Sequence, residues 1–363
     1  MADDHLATEW PLEGHFVVGG SGLYVTTECL GRRFTSRTAS HALTIGLPQV
    51  DRRPDPIPPE LRQRLGEPAI PNMNVLPPAW AHGPNSEDER IEEEHISPVW
   101  GGIFDDGRAK VVFPESARNS AVVYRCRFYT TLTVADGEEF EAAAEGFLSE
   151  LDDWWTRFTS WVGILTSQDF VGLGGHPGGM TQSYPILRWT SNASGQRAGT
   201  RWQQKFPPNQ GAPIFNLRLS DLEACVTATG NQNPPPEWML IRDARSLLRA
   251  GQARRAILDA GTAAELAMTT LIDAYLVTTN TDEPVRKAVA RGYNNLGAKK
   301  ELLKMLRPGL LSTSVQPDLI DKRNTASHGD GQVTLAQAET AVEIATGIVE
   351  LAHPLAGLMP SSR

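Results

Sequence analysis

The chain has 363 residues, 40% of them hydrophobic and 21% charged, with a formal net charge of −9. That length is enough to bury a large core and points to two domains. The composition is ordinary for a soluble globular protein, and no apolar run approaches the ~20 residues of a membrane span. The charge argues against a large nonspecific nucleic-acid footprint, but it is unevenly spread: residues 237–363 hold 15 Lys and Arg against 14 Asp and Glu, leaving 19 against 29 for the rest.

The acidic start Met1-Ala2-Asp3-Asp4-His5 has no apolar core, so no signal peptide is expected. Cys29, Cys126 and Cys225 are far apart and odd in number. They fit a reducing cytoplasm, with neither a disulfide framework nor a zinc site, and no cofactor is expected. Short strands are predicted at His15–Val18, Leu23–Val25 and Ala42–Ile45, with a turn at Gly19-Gly20-Ser21-Gly22 that lacks the Lys-Ser/Thr of a phosphate loop. Residues 48–95 are rich in proline and end in an acidic run. They read as a long surface excursion with one short helix near Glu60–Leu65.

Residues 120–134 alternate clearly. Val122, Tyr124, Cys126, Phe128, Leu132 and Val134 are expected to face a core, and Arg125, Arg127, Thr131 and Thr133 to face water. A helix over 137–166, roughly 45 Å long, follows, with Asp136 as cap and Glu139 at capping-box spacing. Its stripe of Phe140, Ala144, Phe147, Leu151, Trp154, Phe158, Trp161 and Leu165 serves either sheet packing or a ligand site. Trp154 and Trp155 are adjacent, so one of them is expected at the periphery or an interface. The glycines between Gly172 and Gly179 form a loop, and short strands at 186–189 and 214–219 complete a mixed sheet. The first 230 residues thus read as an α+β domain. They contain no paired carboxylates, metal-ligand cluster or nucleophile motif.

Residues 231–236 form a linker, because Gly230 to Pro236 can continue neither a helix nor a central strand. From 237 to 363 the pattern is helical, a bundle of about 125 residues. Helices are predicted at Trp238–Ala250, Arg254–Thr278, Leu296–Leu306, Pro317–Ser327 (ended by Gly329) and Leu335–Leu351. The second is buried on most sides, with small residues that allow close helix approach.

Arg323-Asn324-Thr325-Ala326-Ser327-His328 carries the chemistry. Arginine holds a phosphate with permanent charge, histidine moves a proton near neutral pH, and asparagine donates and accepts hydrogen bonds. Arg90 and His95 have the same spacing but sit in an acidic run unsuited to phosphate. On one straight helix five residues subtend about 140° net, so either the helix ends between Arg323 and His328 or a second chain completes the site. A competing reading pairs Arg323 with Asp318 or Asp321 and leaves His328 at a helix C-terminus. Glu265, amid Ala264, Leu266 and Ala267, either faces this site or lies on an exposed helix edge.

The Arg323–His328 segment, with Arg254-Arg255-Ala256-Ile257-Leu258-Asp259-Ala260-Gly261-Thr262-Ala263-Ala264-Glu265-Leu266-Ala267, resembles the HEPN superfamily, and the second segment resembles its Apea-like branch. The resemblance covers roughly residues 237–355. It implies a helical bundle, a two-fold homodimer and a metal-independent endoribonuclease. Arg323, Asn324 and His328 would be catalytic, Glu265 supporting, and the products 2′,3′-cyclic phosphates. A cytoplasmic defence or toxin-like effector is implied, its N-terminal domain sensing an activating ligand or protein. The alternative is a non-catalytic RNA-binding or dimerisation module.

Overall fold

The computed structural model describes residues 8–18, 22–49, 73–75, 101–104, 120–134, 140–173, 184–189, 216–328 and 331–359. The chain divides into two compact units: residues 1–170, 178–233 and 361–363 in one, 171–177 and 234–360 in the other.

In the first unit the strands are β1 (Thr8–Val17), β2 (Leu23–Thr26), β3 (Arg33–Arg37), β4 (Ala42–Gly46), β5 (Met73–Val75), β6 (Gly101–Phe104), β7 (Ser120–Val123), β8 (Arg125–Val134) and, after helix α1 (Phe140–Thr166), β9 (Tyr184–Trp189). They form two sheets, β3-β4-β8-β1-β9 and β2-β7-β6-β5. Every strand pairing among the described residues is antiparallel, so the expected mixed sheet is corrected. The one parallel pairing is an isolated bridge, Val25 to Leu217. Among the described residues of the strand predicted at 214–219, that bridge is what forms, and helix α2 (Leu219–Asn231) starts at its end.

The predicted strand at 120–134 is broken at Tyr124, and its halves join different sheets. Arg125 and Arg127 are buried, 8% and 4% exposed, not wet. β8 lies in the middle of its sheet, His15 stands opposite Arg127, and Arg125 Nη1 lies 3.3 Å from His15 Nε2. Period-two alternation counts arginine as a surface residue and misses this. It holds at the far end, where Thr131 and Thr133 are exposed.

The aromatic stripe of α1 packs against the sheet. Phe16 of β1 stacks on Trp155 with ring centroids 4.4 Å apart and on Trp154 at 5.6 Å, and Trp154 stacks on Phe158 at 5.2 Å. Both tryptophans are buried, which corrects the expectation of a peripheral one. A helix that packs on β8, β9 and α2 is covered through more than one face, so side chains 100° apart can both be inside. Trp154 Nε1 donates to Ser36 Oγ at 2.9 Å, and Ser36 donates to the Val226 carbonyl of α2 at 3.0 Å. The capping residues Asp136 and Glu139, the turn at 19–21, the helix near 60–65, the Gly174–Gly179 loop, and Arg90 and His95 lie outside the described residues. Within the excursion, Met73–Val75 is a strand.

The second unit contains α3 (Pro236–Arg249), α4 (Ala253–Thr278), α5 (Glu283–Gly292), α6 (Leu296–Leu306), α7 (Asp321–His328), α8 (Leu335–Ala352) and α9 (Leu355–Leu358). A π-helical turn, Val315–Ile320, leads directly into α7, so the helix predicted from Pro317 begins earlier and in a wider coil. The ends are chemically specified. Pro236 occupies the first turn of α3, where its missing N–H costs nothing. Gly251, at φ +71°, closes α3: its N–H reaches the Leu248 carbonyl while that of Gln252 reaches Leu247, both at 2.9 Å. Asn295 caps α6, and Thr334 and Gln337 form a capping box on α8.

Helix α4 is the axis of the bundle, packing on α3, α6 and α8. Ala256, Ala260, Gly261, Ala263, Ala264 and Ala267 are all buried along it. Such small residues bring helix backbones close. Trp238 is buried and donates to the His353 carbonyl at 2.9 Å, tying α3 to the end of α8.

Candidate functional site

The site is built where α4 meets α6 and α7. Gly261 lies buried in the middle of a helix-favouring run, a position where glycine costs about 1 kcal/mol against alanine. Its cause is spatial. A Cβ there would stand 2.7 Å from Arg323 Cγ and 3.4 Å from its Cβ. The missing side chain is the seat on which the stem of Arg323 lies.

From that seat the guanidinium reaches Glu265, one turn further along α4, with Nη2 3.7 Å from Oε2. The other carboxylate oxygen, Oε1, accepts a hydrogen bond from Lys299 Nζ of α6 at 3.2 Å. Glu265 therefore stands between two cations. Its charged tip faces the motif, and the exposed-edge alternative does not hold. Arg323 remains half-exposed. The expected partners Asp318 and Asp321 are not those it takes. Asp321 instead accepts from Gln316 Nε2 at 2.8 Å, and Gln316 accepts from Lys300 at 2.9 Å, linking α6 to the start of α7.

Helix α7 runs unbroken from Asp321 to His328, so it does not end between Arg323 and His328. The two side chains leave one continuous helix about 140° apart, with their Cα atoms separated by about 7.5 Å of rise. One chain thus presents them on different faces. Asn324 and His328 are exposed, and their side chains make no hydrogen bond or ion pair to another described residue. The C-terminal carbonyl of Ala326 is taken by Arg254, whose Nε donates at 2.6 Å. His328 is the last residue of α7, where a cation is also favoured by the helix dipole. Ser327 and Thr325 donate to the carbonyls of Arg323 and Asp321.

Other chemistry is less available. The three cysteines are buried free thiols. Burial pushes Cys29 up to about 11 and Cys126 to about 12, and raises Cys225 as well, so none is a thiolate near neutral pH. No described helix is long and apolar enough to cross a membrane. Arg323, Asn324, His328 and Glu265 could be singled out from the sequence, and Gly261 only as one of the small residues that let helices approach; its place under Arg323 and the role of Lys299 could not. The available signal was the glycine itself, since glycine inside a strong helical pattern marks a close approach. Comparison of the chain with protein-family models, with curated proteins and with solved structures gives no match.

Proposed function

We propose that the chain is a metal-independent endoribonuclease of the HEPN type, acting as a homodimer. The observation that carries this reading is the disposition of α7: Arg323 is seated on Gly261 with its charge at the surface, and His328 projects unengaged from the same helix. The substrate's own 2′-hydroxyl attacks the adjacent phosphorus, so no protein nucleophile is required. A histidine takes the hydroxyl proton as the 2′-oxygen bonds to phosphorus, and the bond to the departing 5′-oxygen breaks as a protonated histidine, from either protomer, gives that oxygen a proton. Arg323 stabilises the charge that builds on the phosphoryl oxygens. Asn324 orients the phosphate or the histidine. The products carry a 2′,3′-cyclic phosphate and a 5′-hydroxyl.

Because Arg323 and His328 diverge around α7, a two-fold partner that brings a second α7 alongside supplies both groups to one phosphate. The segment Glu283 to Arg307 carries seven Lys and Arg against two Asp and Glu, a local excess of cations suited to an RNA strand. The chain would serve as a cytoplasmic defence or toxin-like effector, with the N-terminal unit receiving the activating ligand or protein. The same divergence supports a second reading, a module that binds RNA or dimerises without cutting.

An RNA with a single 2′-deoxy nucleotide separates the two. The proposal expects cleavage at every susceptible position except that one, with cyclic-phosphate ends. Cutting at the deoxy position refutes 2′-hydroxyl attack. Binding without any cutting leaves the non-catalytic module.

A further inference from the structure

Glu265 poses an electrostatic problem: a carboxylate 3.7 Å from the arginine meant to hold a phosphate repels that phosphate. Lys299 addresses it. Its ammonium donates to the oxygen of Glu265 that Arg323 does not use, and the three groups together carry a net charge of +1. Lys299 is also the more enclosed cation, its side chain 11% exposed against 32% for Arg323. It is placed to cancel the carboxylate, leaving Arg323 as the cation that a ligand meets.

Resting on the reading of Arg323 as a phosphate-binding residue, we propose that Glu265 and Lys299 are a charge-compensated positioning pair. Glu265 fixes the direction of the Arg323 guanidinium, and Lys299 removes the repulsion that this fixing would impose on RNA. Neither residue touches the reacting atoms. Removing Lys299 alone exposes the phosphate to an uncompensated carboxylate. Removing the charge of Glu265 alone frees the guanidinium but adds no repulsion. Removing both abolishes the repulsion again.

The test uses the full chain as wild type, Lys299→Met, Glu265→Gln and the double variant, with a labelled single-stranded RNA oligonucleotide. Cleavage gives kcat and KM, RNA binding is measured with His328→Ala added to each, and Tm is followed throughout. The expected result is a rise in KM and Kd of at least about tenfold for Lys299→Met, the cost of a like charge left beside a phosphate. Glu265→Gln acts mainly on kcat. The double variant returns KM and Kd to the level of Glu265→Gln, a rescue that additive damage to packing does not give. A double variant no better than Lys299→Met, beside a wild type that cleaves, overturns the pair and leaves the nuclease reading standing. So does an unchanged KM in Lys299→Met. A wild type that neither cleaves nor binds overturns both.

Discussion

Replacing Gly261 by alanine puts one carbon atom into the seat of Arg323. That carbon would stand 2.7 Å from Arg323 Cγ, about an ångström inside normal contact, and near the root of the side chain, where swinging the far end gives no relief. Alanine improves helix propensity by about 1 kcal/mol. The Arg323–Glu265 ion pair that must break is partly exposed and contributes about 0.2–1 kcal/mol. The two nearly cancel, so Arg323 rotates away and the stability of the folded chain changes by no more than about 1 kcal/mol. Cleavage, however, loses an oriented positive charge at the phosphate, a loss of about 10²–10³ in kcat. The assay pairs urea denaturation with RNA cleavage by wild type, Gly261→Ala and Arg323→Ala. A folded Gly261→Ala chain that cuts like wild type, while Arg323→Ala does not, refutes the argument that the seat positions the arginine.

Three further outcomes follow from the packing and electrostatics. Arg254→Met removes the donor that satisfies the Ala326 carbonyl, so the end of α7 frays at a cost of about 1 kcal/mol, read by urea denaturation. Trp154→Ala removes a buried, stacked ring and its bond to Ser36, and costs the first unit about 3–5 kcal/mol by the same measurement. Burial, with Asp243 adding like charge, holds the Asp259 carboxyl above its ordinary value despite Arg255. The folded chain therefore holds the Asp259 proton more tightly than the unfolded chain, and stability from this group is present in acid and lost as pH rises through the raised value. Asp259→Asn raises Tm at neutral pH and gives no such gain below the ordinary carboxylate range.

The helical unit was legible because its signals are local. Caps, terminating glycines and the small-residue stripe of α4 act within a turn or two, and Leu296–Leu306 begins and ends where its pattern does. The sheets were less legible because strand partners lie far apart in sequence. Nothing local at Tyr124 announces that β7 and β8 part into different sheets, and no periodicity shows that Arg125 finds His15 across the sheet. Helix α5 was missed because it is short: Val285, Ala288 and Val289 stand at helical spacing, but so brief a stripe is too little to mark an element, and none of them is buried. At the site, Arg323 and His328 could be read from their chemistry. Glu265 stood out because a charge among alanines needs a reason. Lys299 was assigned no role because its significance depends on a contact 34 residues away.

The most direct measurement is RNA cleavage in EDTA by the purified chain, beside Arg323→Ala and His328→Ala. The account predicts cutting by the wild type, cyclic-phosphate ends, and loss of activity in both variants. Equal cutting by all three contradicts it.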